Sequence, residues 1–89
     1  MSNVEGMDVE AGRILAGHLS DRAHEIDILT SALHTELTNL QWLGPDADSF
    51  RHEWDTDYQA QLRNIAAMLR DVSGRVTANA TQQETASNH

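Results

Sequence analysis

The sequence predicts an all-α fold, an antiparallel helix-turn-helix hairpin. Two long stretches repeat apolar residues at helical spacing, and Trp42-Leu43-Gly44-Pro45 interrupts them near the middle of the chain. The whole chain is 89 residues without cysteine, so two helices exhaust its length and disulfides cannot supplement a small core. The expected organisation is a flexible N-terminal tail at 1–7, a helix at 8–41 and a turn at 42–45. A second helix follows at 46–80, with a flexible C-terminal tail at 81–89.

In the first helix, Leu19, Ile26, Leu33 and Leu40 recur every seven residues and are flanked by Leu15, Ala23, Leu29 and Leu37. Arg22 and Glu36 interrupt the second seam position, which argues against a simple two-stranded zipper. Gly12 and Gly17 weaken the early turns by up to about 1 kcal/mol each relative to alanine.

The break itself follows from backbone chemistry. Glycine takes turn geometry cheaply, while proline supplies no backbone donor but suits a first helical turn. Asp46 and Asp48 complement the positive end of the second helix. Its stripe then runs Phe50, Trp54, Tyr58, Leu62, Ile65, Leu69, Val72 and Val76, alternating spacings of four and three from Tyr58 onward. Gly74 and the polar, period-free residues from Thr81 onward predict a helix that fades by Ala80. Helices of this length span about 45–50 Å, and a four-residue reversal forces them side by side. A weaker apolar set, Ile14, Ile28, Ala60, Ala67 and Met68, reads either as ordinary surface scatter or as a packing face for another hairpin.

Fourteen acidic residues against six basic ones give a net charge of −8. Such a surface is repelled by nucleic acid and by anionic membranes. No apolar run approaches the roughly 20 residues that cross a bilayer, so integral membrane insertion is not expected. Met1 to Asp8 has neither the basic region nor the apolar core of a signal peptide, so any export is expected to proceed without a cleavable one.

The break and its neighbours carry a resemblance. Trp42, Gly44, Ala47, Phe50 and Trp54 reproduce the pattern of Trp-x-Gly, a small residue, then two aromatic residues a helical turn apart. With the flanking helices, this chain resembles the WXG family, the small Esx-type proteins exported by type VII secretion in actinobacteria and Firmicutes. The resemblance implies a four-helix bundle of two hairpins, as a homodimer or with a paralogous WXG partner. It further implies export of the folded dimer by a type VII secretion ATPase complex. Recognition then involves the turn residues Trp42 and Gly44 and a C-terminal Tyr-x-x-x-Asp or Tyr-x-x-x-Glu signal. Here the only tyrosine, Tyr58, lies inside the second helix, and the nearest tail analogue is Ala80-Thr81-Gln82-Gln83-Glu84. Glu84 would be the remnant of that signal, with a partner chain supplying the tyrosine.

Simpler readings stand beside these. Trp42 also serves as a hydrophobic plug, and Gly44 has a steric role whatever the function. Leu19, Ile26, Leu33, Leu40, Phe50, Trp54, Tyr58, Leu62, Ile65, Leu69 and Val72 are expected core or interface residues, with no cofactor needed. His18, His24 and His34 fall on different faces of the first helix. His52-Glu53 begins a zinc motif that Thr56 ends. The carboxylates Asp46, Asp48, Glu53, Asp55 and Asp57 form a solvated face, since acid–base work requires a cleft. No catalytic residues, metal ligands or cofactors are therefore expected.

Three functions compete on this reading. The first is a type VII substrate acting as a dimer. The second is a chaperone or targeting partner that completes the helical head of a larger exported toxin. The third is a cytoplasmic regulatory or assembly hairpin with an accidental Trp-x-Gly.

Overall fold

The computed structural model describes residues 6–87 and is an extended all-α hairpin. Helix α1 spans Val9–Asn39, helix α2 spans Pro45–Glu53, a π-helical turn occupies Trp54–Tyr58, and helix α3 spans Gln59–Ser87. The last three form one rod that runs back along α1. Expectations for residues 1–5 and 88–89 lie outside the described residues.

Asp8 caps α1 by accepting a hydrogen bond from the Ala11 backbone N–H at 3.1 Å. Met7 lies against Gly12, occupying the place a side chain there would need. The glycine thus admits a contact as well as softening the turn.

Small residues hold the centre of the hairpin. On α1 the buried positions are Gly12, Ala16, Ala23 and Thr30. On the returning rod they are Ala47, Trp54, Ala66 and Ala80. Alanine keeps helices close but buries little apolar area per residue, so this seam sets geometry more than it supplies stability. Its polar members are satisfied. Thr30 Oγ1 donates to the Ile26 carbonyl at 2.7 Å, and Ser73 Oγ donates across the seam to the Ala16 carbonyl at 2.7 Å.

The π turn is where the sequence pattern and the packing diverge. The Gln59 N–H bonds to the Trp54 carbonyl, five residues back, which takes one extra residue into the turn. Before it, Ala47 and Trp54 face inward. After it the inward phase passes to Ala66, Ser73 and Ala80, each seven apart, alternating with Leu62, Leu69 and Val76. The spacing that predicts Tyr58, Ile65 and Val72 in one uninterrupted seam does not anticipate this shift. Those three move to the flank of α3.

The second helix runs past Ala80 to Ser87, where the composition predicts a flexible tail from Thr81. Ala80 is fully buried, and Arg13 on α1 reaches both Thr81 Oγ1 at 3.4 Å and Glu84 Oε1 at 2.9 Å. These ties explain why a polar composition does not prevent helix here.

The molecule measures 66 × 17 × 15 Å. Its long dimension is that of the second rod, longer than the 45–50 Å expected. Its radius of gyration is 19.7 Å, against about 12 Å for a compact domain of this length. Among the described residues, no helix is long and apolar enough to cross a membrane.

Candidate functional site

The connection is an extended strap rather than the tight reversal expected. Leu40 is already extended, at φ −72° and ψ 129°, and the chain stays non-helical through Leu43. It lies along α2, which begins at Pro45 directly after Gly44. Gly44 has φ +118°, a region closed to side chains on backbone grounds even though open space surrounds it. The glycine of Trp-x-Gly is thus fixed by geometry.

Arg51 secures the strap. Its guanidinium donates to the Trp42 carbonyl at 2.8 Å and to the Leu40 carbonyl at 2.8 Å, with longer bonds of 3.3 and 3.4 Å to the Leu37 carbonyl. The α1 helix has no basic residue in its own last turn, so Arg51 supplies that charge from across the hairpin. It also stands 6.0 Å from the centre of the Trp42 ring, within cation–π range. The sequence analysis assigns Arg51 no role. Its position seven residues after the glycine is the signal that was there to be used.

Trp42, Phe50 and Tyr58 form a tilted aromatic row, with ring centres 6.0 and 6.2 Å apart. All three remain at least partly open to solvent. The second tryptophan behaves differently. Trp54 is buried and its indole N–H donates to His34 Nδ1 at 3.1 Å. The Tyr58 hydroxyl donates to Glu53 Oε2 at 2.9 Å. That bond, and then the carboxylate charge, hold the phenol above its ordinary pKa. The neutral phenol is the favoured form, so the contribution is present below the free phenol's value of about 10 and is lost as pH rises through the raised one. An ultraviolet alkaline titration should show Tyr58, the chain's single tyrosine, ionising later than a free tyrosine, with Glu53→Gln moving it back. Unchanged titration in the variant would remove Glu53 as the cause.

The other expected site residues divide by burial. Leu19, Ile26, Leu33, Leu62, Leu69 and Val72 are partly buried, whereas Leu40, Phe50, Tyr58 and Ile65 are exposed. Glu84 is bound to Arg13 of the same chain, and both are accessible enough for the pair to contribute little. The two long edges of the hairpin differ. One carries Arg13, Asp27, His34, Arg63 and Arg70, joined across the helices by the Arg13–Glu84 and Arg70–Asp27 ion pairs and the Trp54–His34 bond. Helical phase places Leu15, Leu29, Leu40, Phe50, Tyr58, Ile65 and Val72 along the other edge. This apolar edge is distinct from the weaker set of Ile14, Ile28 and Met68, which lies on outward helix faces. Its extent, with the extended shape, points to association with another chain.

Among the described residues, no group of three or more His, Asp or Glu is arranged to hold a metal. Comparison of the chain with protein-family models, curated proteins and solved structures finds no match.

Proposed function

We propose that this chain is a WXG-type protein, exported in the folded state by a type VII secretion ATPase complex as one hairpin of a dimeric four-helix bundle. Its role is recognition and assembly, without catalysis or a cofactor, and it leaves the cell without a cleavable signal peptide. The observation carrying this reading is the pose of Trp42. Its indole is 36% exposed on a strap that depends on the backbone of Gly44 and the guanidinium of Arg51. A plug alone does not require so much of the ring in solvent.

Replacing Trp42 with alanine should leave helix content by circular dichroism unchanged while export falls by about tenfold or more, as truncating an aromatic anchor does. Normal export of a folded Trp42→Ala protein would remove the premise.

A second reading has its own support. Ala80 is buried and Glu84 is tied to Arg13, so the place of the tail signal is occupied by packing within the hairpin. That favours a partner chain that carries the signal, such as a larger toxin whose helical head this hairpin would complete. An adjacent gene for such a protein would distinguish it.

A further inference from the structure

We propose that the apolar edge binds a second copy of this chain, antiparallel, in a register set by Arg22 and Glu36. This rests on the dimeric reading above and names its partner and alignment.

Leu15, Arg22, Leu29 and Glu36 recur every seven residues along that edge of α1. The series is self-complementary about Leu29. When α1 meets a second α1 running the other way, Leu29 faces Leu29, and each Arg22 faces the Glu36 of the other copy. Leu15 then approaches the other copy's turn, where Leu43 is 86% exposed. Glu36 forms no ion pair among the described residues. Arg22 pairs only with Glu25 three residues away, and both are largely exposed, so that bond offers little resistance to exchange.

The returning rod has the same centre. Asp27 is joined to Arg70, and His34 to Trp54. Placing Leu29 proportionately between these two rungs sets it level with Ile65. About Ile65, the apolar edge of α3 is self-complementary too, with Tyr58 and Val72 seven residues to either side. One twofold axis therefore satisfies both helices, as an isologous interface requires. Charge selects the antiparallel arrangement. A parallel pair would bring together two copies of the acidic cluster Asp46, Asp48, Glu53, Asp55 and Asp57. The antiparallel pair holds them at opposite ends of a molecule 66 Å long, many screening lengths of about 8 Å apart.

The area is sufficient. The chain exposes 6521 Å², whereas a compact monomer of its mass exposes about 5200 Å². The excess is larger than the roughly 800 Å² per partner of a standard interface.

Sedimentation equilibrium of wild type, R22E, E36R and an equimolar mixture of the two variants tests this, with circular dichroism confirming that each is helical. Wild type should be dimeric. Each variant alone opposes two like-charged pairs across the interface and should dissociate with a Kd about tenfold higher or more. The mixture forms two opposite-charge pairs and should recover wild-type affinity. A monomeric wild type overturns self-association, yet leaves export with a different partner intact. A dimer with equal affinity in all four samples overturns the register. Neither result depends on the export assay, so the two readings fail separately.

Discussion

Ala23→Leu is expected to open the hairpin. Ala23 is fully buried at the middle of a seam whose other α1 members are glycine, alanine and threonine. A leucine adds three heavy atoms where the helices approach closely, and forcing such volume into a packed site costs about 1–3 kcal/mol. The consequences are large because the seam is made mostly of small residues and has little apolar area in reserve. A cost of about 2 kcal/mol corresponds to a fall of about 10 °C in Tm for a chain of this length. Ile14→Ala, on an outward face at 53% exposure, is the control and should change stability by less than about 0.5 kcal/mol. Equal melting of the two variants would show that the alanine seam does not limit the approach of the helices.

Arg51→Met should loosen the strap while leaving α1 and α3 helical. Methionine keeps a flexible apolar stem but no donor, so the Leu37, Leu40 and Trp42 carbonyls lose their guanidinium contacts together. Charge-assisted bonds contribute about 1.5–3 kcal/mol each when buried, and less where water replaces them. A net loss of about 2 kcal/mol is expected, confined to the turn. Hydrogen exchange should accelerate at Trp42, whose N–H bonds to the Leu40 carbonyl at 3.0 Å, and Trp42 should become more accessible to quenchers. Arg51→Lys should not restore either property, because an ammonium cannot span three carbonyls as a planar fork does. Wild-type exchange at Trp42 in Arg51→Met would assign the strap's order to Gly44 and Pro45 instead.

The hairpin was legible because long apolar periodicity and a Gly-Pro break are strong local signals. What lay beyond them was inter-helix geometry. Large apolar residues dominate any hydrophobic pattern, so Leu19, Leu33 and Ile65 stood out while Ala16, Ala23 and Ala66 did not. Yet close approach selects the small residues for the centre and turns the larger ones toward the flanks. Tail composition misled for a related reason. Thr81 to Glu84 have no apolar period, but the helix there is held by Ala80 beneath it and Arg13 across from it. Arg51 was hidden because its targets are backbone carbonyls, which leave no mark in a side-chain pattern. Trp42 and Gly44 were chosen correctly as a turn, though an extended strap replaced the tight reversal.

The π turn at Trp54–Tyr58 makes the returning rod a shaft with a built-in angular offset. Each helical residue turns the axis by about 100°, so removing a single residue there would leave a regular helix whose two ends no longer aim at α1 together. If α3 kept its contacts, α2 would rotate about its own axis, carrying Phe50 and Arg51 away from Trp42. If α2 kept its contacts, Ala66 and Ala80 would leave the seam. The orientation of the whole closed end is therefore keyed to the angle stored in one extra peptide unit, some distance along the rod from the strap that displays Trp42.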